Sequence, residues 1–368
     1  MEDRIIELAI QIQQIAAPTF IEMERAKAVF SLFQQHAETL RDIQLDNNGN
    51  VYARYPGISA EQPLVVSAHL DTVFPLGTAL SIRKEDGKIY GPGIGDNSIS
   101  VACLLAAVEQ LKTKKAKPQQ DIWFCANVGE EGLGDLIGMK RLVDRFGPSP
   151  RLYLVLEGLG IDHLIHQGIG VKRYRIFAHS KGGHSWADFG IPSAIHELSK
   201  LVSLINQIQV PKTPKTTYNV GKFSGGTSIN TIAAEASIEL DLRSQSAEEL
   251  IKLDQKVLAI IEELNRRGSQ ITYEKIGERA SGELDANHPL LALAQGVISG
   301  SGLEPILMAG STDANVPLSR GYPSFVMGIT RGGNTHTIHE YIETADIELG
   351  FANFLKVIDL VSNTAQTP

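Results

Sequence analysis

Four short and almost wholly apolar runs, at residues 64–67, 122–128, 152–156 and 325–328, constrain this chain more than any other feature. Each is too short for a helix and too apolar for a strand with one wet face, so each reads as a strand buried on both sides, the signature of a parallel sheet. Helical periodicity fills the gaps between them. Ile5, Ile6, Ala9, Ile12 and Ile15 recur at helical spacing until Pro18 closes the segment, and further helices are predicted over 22–35, 98–111, 288–297 and 345–361. Asn48-Gly49 marks a turn into a strand at 51–55, and 306–308 gives another short strand. The ends of the chain therefore read as an α/β fold with a mostly parallel sheet.

The middle has a different texture. Over 237–243, Ile238, Leu240 and Leu242 alternate with Glu239, Asp241 and Arg243, giving a strand with one wet face. With strands at 171–179 and 270–276 and helices over 193–207 and 247–266, this stretch reads as a small α+β layer of the βαββαβ, ferredoxin-like type. The expected organisation is an α/β domain over 1–168 and 279–368, interrupted by an inserted domain over 169–278. With 368 residues, 43% of them hydrophobic, the chain can bury sizeable cores.

Composition excludes several classes of function. A net charge of -8 argues against a nucleic-acid partner. No apolar run is long enough to span a membrane, and residues 1–15 lack the basic start and cleavage site of a secretory leader. Two isolated cysteines, Cys103 in an apolar helix and Cys125 in an apolar strand, do not make a disulfide framework, so a cytoplasmic location is expected.

The chemistry lies where the apolar runs end. In parallel α/β sheets the carboxyl edge of the strands is where ligands bind. His69 and Asp71 follow the run at 64–67, Glu130 and Glu131 follow 122–128, and Glu157 ends 152–156. His336 and His339 lie in a glycine-rich loop after 325–328, and Asp96 sits after Gly91-Pro-Gly-Ile-Gly95 at the start of a helix. That loop lacks the lysine of a P-loop and the spacing of a dinucleotide fingerprint. Gly183-His184-Ser185-Trp-Ala187 lacks the last glycine of a nucleophile elbow. Imidazole and carboxylate together suit a divalent metal such as zinc. Separate histidines, a loop aspartate, a Glu-Glu pair and a further glutamate supply two ligand sets, a bridge between them and a base.

Ser67-Ala-His69-Leu-Asp71, Gly91-Pro-Gly-Ile-Gly95-Asp96-Asn97, Gly129-Glu130-Glu131-Gly132 and His336-Thr-Ile-His339-Glu340 together resemble the motifs of the M20 metallopeptidase family, in order and across the whole chain. The segment from Gly182-Gly-His184-Ser-Trp186 to His196 is most similar to the peptidase T branch. The resemblance implies two divalent ions, zinc first and cobalt or manganese next. His69 and Glu157 would hold one ion, Glu131 and His336 the other, and Asp96 would bridge them. His336 is preferred to His339 because the family pattern has a glutamate four residues later, which Glu340 supplies. Asp71 would orient the His69 ring. The implied mechanism has a hydroxide between the metals attacking an amide carbonyl, with Glu130 as general base and acid. Asn97 departs from the Asp or Lys often found after the bridging aspartate, at a peptide bond that is frequently cis in the family.

The same resemblance makes the inserted domain a lid and dimerisation domain and the protein a homodimer. His184 would stabilise the oxyanion, Asn230 and Arg243 would hold a substrate carboxylate, and Gly310 and Ser311 would line the substrate pocket. The substrate would be a small peptide cleaved as by an exopeptidase, a di- or tripeptide. The alternative is an N-acyl amino acid cleaved by a deacylase with the same machinery. A member that binds without turnover would have lost the base or a ligand, and here every such position is filled.

Overall fold

Burial explains why the apolar runs become the centre of the molecule's larger sheet. In the strand Ser324–Thr330 every residue is buried, and Leu152–Leu159 is nearly as enclosed. The structure, a computed structural model, describes residues 1–113 and 117–363. Strands Gln120–Asn127, Ser59–His69, Leu152–Leu159 and Ser324–Thr330 lie side by side in that order and run parallel. Val51–Tyr55 and then Arg41–Leu45 extend one side antiparallel. His163–Gly168 joins the other side antiparallel to Ser324–Thr330, with Ile306–Gly310 parallel to it, in a sheet of nine strands.

Helices Ile99–Lys112 and Ile347–Asn363 pack across this sheet. Val101, Leu104, Leu105 and Val108 of the first are fully or almost fully buried. Each such aliphatic side chain contributes roughly 1.5–3 kcal/mol by leaving water, and Leu104→Ala would cost about 2–5 kcal/mol. The first helical turn is preceded by a wide turn, Ile94–Ser98, in which Asp96 and Asn97 leave helical geometry and the Asp96–Asn97 peptide is cis. A separate antiparallel sheet joins Gly332–Gly333, Tyr341–Glu343, Lys88–Tyr90 and Arg83–Glu85. It ties the segment before Asp96 to the segment after His336.

The elements above belong to one compact unit, Met1–Gly168 with the chain from Glu283 onward; Ile169–Gly282 forms a second. The second unit has its own antiparallel sheet, ordered Thr216–Gly225, Glu235–Ser244, Gly170–His179, Ile271–Arg279. Numbered along the chain that order is 2-3-1-4, the split βαβ arrangement. Ala236, Ile238, Leu240 and Leu242 are buried in a core shared with helices Ala194–Ile205 and Ala247–Arg266. Ser246 caps the second helix by accepting from Glu249 N at 3.3 Å. The last strand continues to Arg279, so a boundary drawn at 278 falls inside it; the unit ends at Gly282. Among the described residues no helix is long and apolar enough to cross a membrane.

Candidate metal centre

The carboxyl ends of three parallel strands deliver His69, the Glu130–Glu131 turn and Glu157 to one place, and two loops add Asp96 and His336. His69 is buried. Its Nδ1 contacts the main-chain oxygen of Asp71 at 3.1 Å and the Asp71 carboxylate at 3.5 Å. A proton on Nδ1 satisfies those contacts and leaves Nε2 to face inward, 3.0 Å from Asp96 Oδ1 and 3.7 Å from Glu157 Oε2. The other oxygen of Asp96 lies 3.1 Å from His336 Nε2, which is also 3.1 Å from Glu131 Oε1. His339 stands outside these contacts; its carbonyl accepts from Asn334 Nδ2 at 3.3 Å.

Local sequence explains how Asp96 reaches this position. Glu340 is fully buried, and its Oε1 accepts from Gly95 N at 2.8 Å and Asp96 N at 2.9 Å. Asn97 Nδ2 donates to Leu156 O at 2.9 Å, and Ser98 Oγ to Gly93 O at 2.6 Å. Gly158, beside Glu157, lets the loop approach: a Cβ there would meet Gly95 O at 1.8 Å.

Asp71 sits beneath the site with no solvent exposure. Its Oδ1 accepts from Glu130 N at 2.9 Å, and its Oδ2 accepts from Glu131 N at 2.8 Å and Thr19 Oγ1 at 3.0 Å. Burial opposes its charge, but His69 and these two main-chain donors hold its carboxyl below the ordinary aspartate value. Glu130 and Glu131 are themselves buried.

Opposite charges face each other across the site. Burial works against charge on Asp96, yet His336 and His69 hold it well below the usual carboxylate range. Burial would likewise lower His69, but Asp71, Asp96 and Glu157 outweigh it and keep the ring well above an ordinary histidine. Contacts with Asp96 and Glu131 push His336 up to about 10. Burial pushes Glu157 up to about 7, and burial with the nearby charge of Asp96 lifts Glu340 to about 7. Carboxylate oxygens and imidazole nitrogens thus converge at distances that protons alone must reconcile. Ligand atoms of His69, Asp96 and Glu131 all lie within 4.8 Å of one another. These are the donors a zinc-like divalent ion takes, so the residues fit the group the motifs imply.

Several participants were not singled out in the sequence. Arg25, Glu22 and Thr19 support the site from below, and Asn127 Nδ2 donates to the buried Asp313 Oδ2 at 2.7 Å. Asp313 adds to the charge that Glu157 feels. Glu22 and Arg25 did carry a signal: they fall in phase with Ala26, Val29 and Phe33 on the buried face of Met23–Gln34.

The other expected residues belong to the second unit. His184 pairs with Thr231 across a two-residue ladder, and its exposed ring accepts from Trp186 N at 3.2 Å and Ala187 N at 3.4 Å through Nδ1. The proton of its neutral form therefore sits on Nε2. Asn230 is exposed, and its carbonyl accepts from Ser185 N at 2.9 Å, so the two loops hold each other. Arg243 holds Asp241 through Nε at 2.6 Å on the wet face of its strand.

The peptidase family M20/M25/M40 model matches residues 65–360, and the chain belongs to this family. A Schizosaccharomyces pombe peptidase M20 domain-containing protein is 32% identical over 205 residues, 53% of this chain. That alignment spans 48% of the yeast protein, about half its length. Among solved structures, a Staphylococcus aureus tripeptidase superposes with a TM-score of 0.81 at 21% identity, covering 98% of this chain and 99% of that one. The aminopeptidase PepT of Bacillus cereus gives 0.80 at 21% identity, covering 99% of both chains. The two structures share the fold.

Proposed function

We propose that this chain is a two-metal hydrolase that cleaves the amide bond of di- or tripeptides. The observation that carries this reading is the Asp96 carboxylate, with one oxygen 3.0 Å from His69 Nε2 and the other 3.1 Å from His336 Nε2. An aspartate facing two imidazoles in this way suits a bridge between two ions, one held by His69 and Glu157, the other by Glu131 and His336. Zinc fits these donors, and cobalt or manganese fits them next. Such ions, when bound, polarise an amide carbonyl and lower the pKa of water to about 7.

The chain's own residues do the remaining work. Glu130 takes a proton from the attacking water and passes it to the leaving amine nitrogen. Asp71 fixes Glu130 through its main-chain N–H and holds the proton of His69 on Nδ1. His184 donates from Nε2 to the developing oxyanion. Asn230 and the terminal amino groups of Arg243 hold a substrate carboxylate, and Gly310 and Ser311 line the pocket. The Ile169–Gly282 unit serves as lid and dimerisation domain, and Cys103 and Cys125, buried and unpaired, suit a reducing cytosol.

That two proteins sharing the fold are a tripeptidase and an aminopeptidase favours peptides over N-acyl amino acids. The test is a panel of dipeptides, tripeptides and acetylated or succinylated amino acids, offered to the metal-loaded protein and to Glu130→Gln. Turnover of peptides that depends on Glu130 is expected. Turnover of acylated amino acids alone would make the protein a deacylase, and no turnover of any of them would end the hydrolase reading.

A further inference from the structure

Among the described residues Arg25 is the largest side chain that is almost fully buried, and no step of the proposed mechanism uses it. Its hydrogen bonds go to main-chain carbonyls: Nη1 to Leu70 O at 2.8 Å, Nε and Nη2 to Ile15 O at 2.8 and 2.6 Å, and Nη2 to Gln13 O at 3.4 Å. Burial lowers its pKa to about 10, offset in part by the carboxylates of Asp71 and Glu22. A buried guanidinium is costly unless its fork is satisfied, so its position is set by the groups it holds. One of them is Leu70, the residue between His69 and Asp71.

Glu22 precedes Arg25 by three residues, at the start of the same helix. It is buried, and its Oε1 accepts from Phe20 N at 2.9 Å and from Gly129 N at 3.2 Å. Gly129 opens the Glu130–Glu131 turn with a φ of 69°, a conformation its hydrogen side chain allows. One helical turn therefore grips both segments that meet at Asp71: Arg25 holds the His69–Asp71 segment and Glu22 holds the Gly129–Glu131 turn. Asp71 then ties those segments to each other through Glu130 N and Glu131 N.

We propose that Glu22 and Arg25 are a positioning pair that sets the spacing of the His69 and Glu131 ligand atoms, and through it the affinity for divalent ions. This rests on the reading that His69 and Glu131 hold ions. Lysine at position 25 has no fork and can reach at most part of the carbonyl set. Leucine at position 22 leaves Gly129 N without its acceptor, whereas glutamine keeps an oxygen there.

The test measures zinc affinity by competition with a chromophoric chelator, with kcat and KM of the fully loaded enzyme and thermal unfolding recorded alongside. Partners outside the ligand set typically change metal affinity by about 10–100-fold. Arg25→Lys and Glu22→Leu should lose affinity by about that factor, and Glu22→Gln should stay within a few fold of wild type. Val29→Ala, a core truncation on the same helix, supplies the comparison for lost stability alone and should bind zinc as wild type does. If Arg25→Lys does not fold, the contrast between Glu22→Leu and Glu22→Gln decides. Equal affinity in Glu22→Leu and wild type, or a loss in Val29→Ala matching that of the pair, would reduce Glu22 and Arg25 to fold stability and overturn the proposal. Wild type that binds no divalent ion would instead overturn the metal reading beneath it.

Discussion

Replacing Asp71 with asparagine changes one oxygen for an amino group and removes one charge. In the native site Oδ1 accepts from Glu130 N at 2.9 Å and Oδ2 from Glu131 N at 2.8 Å, with Thr19 Oγ1 adding a third donor at 3.0 Å. An asparagine amide has a single acceptor oxygen. Whichever way it turns, one of the two main-chain N–H groups faces an NH2 instead of an acceptor. A hydrogen bond to a charged group contributes about 1.5–3 kcal/mol, and a buried donor left unpaired costs about 1–3 kcal/mol. These overlap, so a net loss of about 2–4 kcal/mol is expected, falling on the Glu130–Glu131 turn. Denaturant unfolding of metal-stripped protein should show an earlier transition at an unchanged slope. Zinc competition should show affinity lowered by about 10–100-fold, because Glu131 and His69 both depend on Asp71. Asp144→Asn, at an exposed pair with Arg320, should change stability by less than about 1 kcal/mol. If Asp71→Asn unfolded and bound zinc like wild type, Asp71 would not organise the site and the argument from its hydrogen bonds would fail.

Three further outcomes are expected. Glu130→Gln should retain its metals and lose about 10²–10⁴ in kcat, since glutamine cannot accept the proton; metal loss with full turnover per bound ion would assign Glu130 to binding instead. If His184 serves the partner's site in a two-fold dimer, mixing Glu130→Gln with His184→Ala and letting subunits exchange should restore roughly a quarter of wild-type activity, and no recovery after proven exchange would place His184 in its own site. His336, raised from 6.5 to about 10, contributes stability to the metal-free protein that is complete below about pH 6.5 and lost as pH rises towards 10. An ion must displace that proton, so zinc binding near pH 7.5 should release protons, seen as heats that vary with buffer; binding without proton release would contradict the raised value.

The parallel centre of the fold was legible because its strands are enclosed on both faces, and Leu64, Phe124, Leu154 and Val326 advertise that in the sequence. Thr216–Gly225 was not, since it carries mostly exposed residues at the edge of its sheet and its alternation, with Thr216, Tyr218 and Val220 inward, covers only its first half. His163–Gly168 escaped for a similar reason, with two buried positions in six. The amphipathic helix Ile137–Phe146 was hidden by the glycines around its start, one of which, Gly138 in its first turn, is tucked against Val128 where a Cβ would meet O at 2.3 Å. At the site, residue type and position after a strand pointed to His69, Glu131 and Glu157. Glu22 and Arg25 lie in phase with the apolar face of their helix, but a charged residue there reads as solvated until its burial is known, and so does Asn127 at a strand end. Local pattern also could not show that Asp71 spends its carboxylate mainly on the Glu130 and Glu131 amides.

The central claim is that Asp96 joins two ion sites. Metal analysis after equilibrium dialysis of wild type and Asp96→Ala against zinc tests it most directly. About two ions per chain are expected in wild type, matching a two-metal site, with neither held firmly in Asp96→Ala. An ion-free wild type, or an Asp96→Ala protein that takes up zinc as wild type does, would contradict it.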